Sequence, residues 1–206
     1  MLKNKKIYIY SILVLLLIVL AWVGVMVFDN VKYNFMDSND VVAEISEEKI
    51  RKKDVENRIL AIKINAEATK LATYESHDED TANSIIQKIK DQPTFKEELN
   101  NMIESAKIRE YLKKIKNEVS YAEAIEFTNK NIFNSSTTAT TRKFEPELLK
   151  KAGITEEVYK KGIYSYYYDL LCNTRLFEYF NKNLYDVNSK NSLQNQFKEF
   201  LSTILS

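Results

Sequence analysis

The sequence predicts an all-α protein with at most one short strand, preceded by a single N-terminal membrane-spanning helix. Only three glycines and two prolines occur among 206 residues, too few for the many tight turns of a β-sandwich or barrel. Apolar residues recur three and four positions apart over long stretches, as the buried face of a helix requires. The chain has one cysteine, which excludes an internal disulfide. Helix packing must therefore hold the fold together.

The predicted spanning helix is the uncharged run at residues 7–28, IYIYSILVLLLIVLAWVGVMVF. At about 1.5 Å per residue, this run makes a helix of roughly 33 Å, which matches a hydrocarbon core of about 30 Å. Three lysines lie in residues 1–6, whereas Asp29 follows the run. Positive charge favours the cytoplasmic side. The sequence therefore predicts a cytoplasmic tip at residues 1–6 and an extracytoplasmic location for residues 29–206.

A cleaved signal peptide is the alternative interpretation of this segment. Its apolar region is usually about 7 to 15 residues long and ends at a pair of small residues, but this run is longer and ends in Val25, Met26, Val27 and Phe28. We therefore expect an uncleaved anchor.

After the predicted helix, residues 29–40 are polar with scattered apolar positions and are expected to form a stalk. Residues 41–206 are long enough for one domain with its own core. The formal charge of the whole chain is +1, which gives no electrostatic reason to expect nucleic acid as a partner. No glycine-rich phosphate loop is present, and no cofactor is expected.

The domain opens with a β-favouring run at residues 40–45 and continues as a helix with apolar residues at helical spacing. Further helices are predicted at residues 95–117, from Ser120, and from Thr155 onward. Ser120 and Thr155 are expected N-caps, Ser120 in a capping box with Glu123, and Gly153 is an expected C-cap.

Three other segments carry looser predictions. Residues 69–92 are expected to be a flexible lobe or helix extension, with a short helical stretch at residues 84–90. Residues 131–141, NIFNSSTTATT, are expected to form a polar surface loop. Residues 189–206 are expected to form an amphipathic helix that either packs back on the domain or binds a partner helix.

Residues 41–59, VVAEISEEKIRKKDVENRI, resemble the start of the N-terminal domain of SurA/PrsA-type extracytoplasmic foldases, which has a short strand, a turn and a long helix. Ile45, Ser46 and Glu47 stand where that family usually has valine, asparagine and glycine. The later segment LLKKAGITEEVYKKG resembles another helix start of the family, so the resemblance extends to about residue 183. It implies a helical chaperone domain. No segment has the glycine-rich composition of the family's parvulin domain, so the resemblance implies no prolyl isomerase activity.

Two groups of residues could suggest chemistry, but each has a simpler interpretation. The cluster at residues 77–80, HDED, lacks the spacing of a calcium loop and has no second histidine for zinc. We interpret it as a solvated acidic loop. Cys172 lies in an apolar helical stretch and is expected to pack in the core. We therefore predict no metal site, no catalytic residues and no enzyme activity.

The aromatic stretch at residues 159–184 is the most informative part of the domain. A buried helix face is predicted at six positions: Tyr159, Ile163, Tyr167, Leu170, Phe177 and Phe180. Tyr164, Tyr168 and Tyr179 are left over, and tyrosine offers apolar area with a hydroxyl that stays hydrated. These three are the predicted polypeptide-binding residues. The alternative is that a second helix covers them.

The predicted function is therefore that of a membrane-anchored chaperone that transiently captures unfolded or exported polypeptide segments without covalent chemistry. Its expected partners are such polypeptides and the membrane. The alternative is a non-catalytic interaction subunit of a membrane protein assembly, in which the same domain binds one folded partner permanently. An exposed groove of tyrosine and aliphatic residues would favour the chaperone, and a flat patch would favour the subunit.

Overall fold

The structure, a computed structural model, describes residues 40–89, 92–189 and 191–206. This part of the chain is mostly helical, with one two-stranded sheet. The strands and α-helices, in chain order, are β1 (Val41–Ile45), β2 (Glu48–Arg51), α1 (Lys52–Ser76), α2 (Glu79–Ile86), α3 (Phe95–Lys114), α4 (Tyr121–Thr128), α5 (Ala139–Ala152), α6 (Glu156–Asn183) and α7 (Leu193–Leu205).

The predicted spanning helix at residues 7–28 lies outside the described residues, as do the tip at residues 1–6 and the stalk up to residue 39. Within the described part, no helix combines the length and the apolar character that crossing a membrane requires.

The sheet is an antiparallel hairpin, so the prediction of at most one short strand is wrong. Ile45 pairs with Glu48 across a two-residue turn, and Ser46 in that turn has φ 52°. Two-residue hairpin loops favour turns with a positive φ, which serine adopts here without the glycine usual in the resembling family. The second strand was missed because its sequence, EKIR, offers one apolar residue, Ile50, which is fully buried.

Three predicted helix caps are confirmed. The hydroxyls of Ser120 and Thr155 accept hydrogen bonds from the backbone N–H groups three residues on, and Gly153 ends α5 in the left-handed conformation with φ 69°. The capping box is found elsewhere, at Thr94 and Glu97, where α3 begins. Short-range side-chain chemistry therefore fixes where these helices start and stop.

The two looser predictions for loops are confirmed only in part. Helix α1 continues to Ser76, so the first part of residues 69–92 is a helix extension. The short helix that follows it is α2 rather than residues 84–90, because Asp78 caps its N-terminus. Residues 131–141 are not a loop throughout, since a π-helical turn, Asn129–Phe133, buries Phe133, and α5 begins at Ala139.

Helices α1 and α6 form the central pair. Their backbones approach closely at Gly162, where a Cβ atom would lie 2.6 Å from the Cβ atom of Ala61. Helix α5 packs on α1, α4 packs on α6, and α3 contacts both α1 and α6. The amphipathic segment near the C-terminus forms α7, capped by Ser192, and packs back on α3 and α6.

Candidate functional site

One concave surface of the described residues is an open groove of about 830 Å³. The hairpin turn, α3, the start of α4 and the middle of α6 form its walls. Its apolar lining includes Leu112, Val119 and Tyr168, and its rim carries both charges, for example Lys113 and Glu118. Sites that bind drug-sized ligands have volumes of about 300 to 1,000 Å³ and enclose most of the ligand. This groove has such a volume but lies open to solvent.

A smaller cavity of about 270 Å³ adjoins the groove, between β2, the start of α1, and α6. Glu48, Arg109 and Tyr168 line both spaces. These three side chains therefore form the boundary between the groove and the smaller cavity.

Two of these side chains belong to a set of charged residues that extends from the boundary into the interior and that we call the ion cluster: Glu48, Arg58, Glu98, Arg109 and Asp169. Asp169, only 4% exposed, accepts a hydrogen bond from Arg58 Nη1 at Oδ2 and another from Arg109 Nη1 at Oδ1. Arg58 Nη1 also lies 3.4 Å from the hydroxyl oxygen of Ser165. The cluster joins α1, α3, α6 and β2 through residues up to 111 positions apart in sequence.

Glu98 completes the buried part of the cluster. Its Oε1 lies 2.6 Å from Arg58 Nε, but the N–H of Nε is not directed at that oxygen, so this contact is an ion pair rather than a hydrogen bond. Asn101 donates a hydrogen bond to the other oxygen, 3.2 Å away. Burial raises the pKa of Glu98, and the positive charge of Arg58 opposes the shift. The ionised carboxylate is thus stabilised by its partners but remains costly in this position.

The three predicted binding tyrosines do not share one environment. Tyr168 lines the groove, its ring packs edge-on against Tyr121 at 5.4 Å, and the Arg109 guanidinium lies 5.1 Å from the centre of its ring. The hydroxyl of Tyr164 donates a hydrogen bond to Asn129 Oδ1 at 2.7 Å, and Tyr164 lies outside the linings of both spaces.

Tyr179 is half-buried and also lies outside both linings. Residues of α4 and of the π-helical turn contact Tyr164 and Tyr168, so a second helix covers them in part, as the alternative interpretation has it. Only Tyr168 remains where a ligand in the groove would touch it.

The predicted buried face of α6 is confirmed in part. Tyr159, Ile163 and Phe180 are buried, whereas Leu170 is 44% exposed and its predicted burial is wrong. The reason is that α6 changes neighbours along its length: its first half packs on α1, and its second half packs on α3 and α7 through Cys172 and Leu176. The buried face therefore changes its direction along α6, whereas the predicted face assumed one constant direction along the whole helix. Tyr167 and Phe177 are half-buried.

The core position predicted for Cys172 is confirmed, because the side chain is 1% exposed. Burial raises the pKa of its thiol to about 12, with Arg109 opposing and Asp169 adding to the shift. Thiolate is the nucleophilic form of cysteine. At neutral pH this residue is therefore a small apolar side chain rather than a reactive group.

The acidic stretch at residues 77–80 has a structural role. Asp78 accepts hydrogen bonds from the backbone N–H and the hydroxyl of Thr81, at 3.0 and 2.8 Å, and so caps α2. These bonds lower the pKa of Asp78. In the part of the chain that the structure describes, no three histidine, cysteine or carboxylate side chains group together as metal ligands.

Reasoning from the sequence missed the ion cluster. A signal was present, since Asp169 interrupts an otherwise apolar and aromatic run, and Arg58 lies between Val55 and Ile59 on a helix whose apolar residues pack inward. A charge at such a position indicates a buried partner. The sequence does not say which of 29 acidic and 30 basic residues that partner is.

Comparison of the chain with protein-family models, with curated proteins and with solved structures gave no match. The resemblance of residues 41–59 to SurA/PrsA-type foldases stays a prediction. A strand, a turn and a long helix do follow one another there. These elements are common and do not identify a family by themselves.

Proposed function

We propose that this protein is a membrane-anchored, extracytoplasmic chaperone-like protein that holds unfolded polypeptide segments without covalent chemistry. The observation that carries the proposal is the open groove of about 830 Å³, whose lining mixes aliphatic, tyrosine and charged side chains. In this proposal residues 7–28 span the membrane, and the SurA/PrsA-like domain lies outside.

The lining of the groove suits an extended, partly apolar segment. Tyr168 contributes aromatic surface to the groove and hydrogen-bonding capacity at its hydroxyl, while Leu112 and Val119, which are almost fully buried, form an apolar floor beneath it. The paired charges of the rim, such as Lys114 and Glu110 at 2.8 Å, keep the edges hydrated. Such a surface binds apolar side chains at modest affinity and releases them, which transient holding requires.

Non-covalent binding is also favoured by the chemistry of the groove. Cys172 lines the groove, and its sulfur atom is a possible nucleophile. Burial, however, raises the pKa of this thiol to about 12. Nucleophilic catalysis would need an activated thiolate and a neighbouring base. The groove is therefore proposed as a binding surface and not as an active site.

The holding activity is tested by the aggregation of an unfolded test protein in the presence of the full chain in lipid nanodiscs. Tyr168→Ser should weaken suppression of aggregation, because it removes the aromatic wall of the groove. The matched control is Tyr179→Ser, a change to a half-buried tyrosine on the same helix outside the groove. Equal suppression by both variants, with melting curves like that of the parent, would contradict the assignment of the groove.

Photo-crosslinking tests the same site without removing a packed side chain. A photoreactive amino acid replaces Lys114, an exposed groove residue, or Lys182, an exposed residue of α6 outside the groove. The unfolded test protein should be captured from position 114 and not from position 182. Equal capture from both positions would mean that binding is not confined to the groove.

Topology is tested separately. Protease added to intact spheroplasts should digest residues 29–206, and the protein should resist extraction from membranes by carbonate. Protection of residues 29–206 from the protease would reverse the proposed orientation.

A second candidate function, an interaction subunit of a membrane assembly, is favoured by a different surface. Tyr166, Leu170 and Phe127 are 40%, 44% and 37% exposed, and Tyr167 lies between them, with ring centres 5.4 Å from Tyr166 and 6.1 Å from Phe127. An exposed apolar patch often marks a protein interface. Crosslinking from position 173, beside Leu170, to one stoichiometric folded protein in cells would support this function over holding.

A further inference from the structure

Arg109 holds a pair of donors at the boundary between the groove and the smaller cavity. Its Nη1 donates to the buried carboxylate of Asp169, which fixes the guanidinium in place. Its Nε and Nη2 face the hairpin and donate to the two oxygens of Glu48, the Nε contact at 3.1 Å. The guanidinium also lies over the ring of Tyr168. This planar pair of donors, held in place on its other sides, has the geometry that binds a carboxylate bidentately.

Glu48 occupies those donors in the manner of a ligand. It is the first residue of β2, directly after the hairpin turn, and its side chain is 44% exposed, whereas that of Arg109 is 14% exposed. The strand pairing of Glu48 with Ile45 is made by backbone atoms, so its carboxylate can leave Arg109 without breaking the hairpin. Arg109 then keeps Asp169 as its partner. The guanidinium is thus the fixed half of the pair, and Glu48 is the replaceable half.

The space around Arg109 is open on two sides, so an extended polypeptide segment can continue past this residue in both directions. Glu48 and Arg109 line the groove of about 830 Å³ as well as the cavity of about 270 Å³. A segment with an acidic residue in its middle would place flanking side chains on either side of Arg109. A segment that ended there would leave one of the two spaces unused.

We infer that Arg109 recognises an acidic side chain within the bound polypeptide, which displaces Glu48 and pairs with the Nε and Nη2 donors. This inference rests on the proposed holding function and names its preferred client: an extended apolar or aromatic segment that carries an internal glutamate or aspartate. Because Asp169 and Tyr168 already hold the guanidinium, little ordering of Arg109 accompanies binding.

The test compares short labelled peptides bound to the full chain in lipid nanodiscs, by fluorescence anisotropy. One peptide carries a central glutamate between apolar and aromatic residues, and its partner carries glutamine at that position. Both are acetylated and amidated, so neither has a terminal charge. The parent protein should bind the glutamate peptide about tenfold more tightly, the difference expected for a hydrogen bond to a charged group. A third peptide, with glutamine and a free C-terminal carboxylate, should gain less.

Variants of the protein locate the effect. Glu48→Gln leaves the Arg109 donors without a competing carboxylate and should tighten binding of the glutamate peptide several-fold, with little change for the glutamine peptide. Arg109→Lys keeps a positive charge beside Asp169 but removes the fork of donors, and it should abolish the preference. The matched control is Lys113→Gln, which removes an exposed positive charge from the same groove. It should preserve the preference, because Lys113 only contributes a screened charge.

Several outcomes would overturn the inference. Equal binding of the glutamate and glutamine peptides by the parent, or loss of preference in Lys113→Gln as large as in Arg109→Lys, would mean that no specific site recognises the carboxylate. A stronger gain from the free C-terminus than from the internal glutamate would assign Arg109 to chain ends instead. In each of these cases the holding function survives, since the peptides still bind. If no peptide binds at all, the holding function fails and the inference fails with it.

Discussion

Two neighbouring regions of the interior are built from the same helices but on different chemistry. The ion cluster meets at Asp169, and one turn later along α6 Cys172 begins an apolar cluster of five buried residues: Ile108, Leu112, Val119, Cys172 and Leu176. Apolar contacts change gradually when a helix shifts, whereas a carboxylate and a guanidinium must meet at hydrogen-bond distance. The apolar cluster therefore supplies burial, while the ion cluster selects one register of α1, α3 and α6.

The largest effect is expected from breaking the ion cluster at its centre. Asp169→Asn leaves Arg58 and Arg109 without their shared anion, and the free energy of unfolding should fall by about 3 to 5 kcal/mol, as when one member of a buried ion pair is removed. Urea unfolding of the full chain, followed by circular dichroism, measures the loss.

The control for that change is Glu123→Gln, which breaks an exposed pair with Arg175 at 2.7 Å. Exposed pairs contribute about 0 to 1 kcal/mol. If both variants lose the same stability, the charges of the cluster are not buried together in solution.

The apolar cluster should respond next most strongly. Leu176 is fully buried, so Leu176→Ala should lower the free energy of unfolding by about 3 kcal/mol, within the usual 2 to 5 kcal/mol for lost transfer energy and a cavity. Leu170→Ala on the same helix is the control, since its side chain is 44% exposed. If Leu170→Ala lowers the free energy of unfolding as much as Leu176→Ala does, Leu170 is buried, as the sequence predicts.

The close approach of α1 and α6 beside the ion cluster gives a smaller expected effect. In Gly162→Ala the new methyl group meets Ala61 at 2.6 Å and the carbonyl oxygen of Asn57 at 3.0 Å. Overpacking of this kind costs about 1 to 3 kcal/mol. The double variant Gly162→Ala with Ala61→Gly removes the methyl contact, and denaturation should show that it recovers stability relative to the single variant. No recovery would mean that the helices are not in contact at this pair.

The smallest effect is expected at the edge of the ion cluster. Glu98→Gln removes one of three carboxylates that face two guanidinium groups, so the remaining charges balance, and stability at neutral pH should change by less than about 1 kcal/mol. Unlike Asp169, Glu98 would then be nearly dispensable for stability.

The pH dependence of the same variant sharpens this prediction. Burial raises the pKa of Glu98 above its ordinary 4.5. Between pH 4.5 and the raised pKa, the native state therefore binds the proton more readily than the unfolded state does. The native protein should therefore gain stability from Glu98 as the pH falls through the raised pKa toward 4.5, relative to Glu98→Gln. Urea unfolding of both proteins across this range measures the difference. A difference that does not vary with pH would contradict the raised pKa.

Local features of the fold were predictable from the sequence. Ser120, Gly153 and Thr155 act within one turn of the chain, and their capping roles are read from adjacent residues. The amphipathic helix near residue 200 was likewise expected. The second strand was not, because the pairing of Glu48–Arg51 with β1 depends on backbone bonds and on the burial of Ile50, which few local residues signal.

The candidate site was predictable only at one position. Tyr168 was expected to contact a ligand and does line the groove, but the same expectation was made for Tyr179, which lies outside it. The difference arises because α4 and the hairpin meet beside Tyr168 and not beside Tyr179. Arg109 could not be chosen among many exposed-looking basic residues, because its partners Glu48 and Asp169 lie about 60 positions away on either side.

The wide sequence separation of the central helix pair governs how the domain folds. Ala61 meets Gly162, and Arg58 meets Asp169 across 111 positions. Helices form within about a microsecond, but closing a loop of this length costs roughly 4 kcal/mol of chain entropy. The encounter of α1 with α6 is therefore the slow event, and until it occurs Arg58 and Asp169 remain hydrated. The domain should fold more slowly than a bundle of sequential helices of the same size.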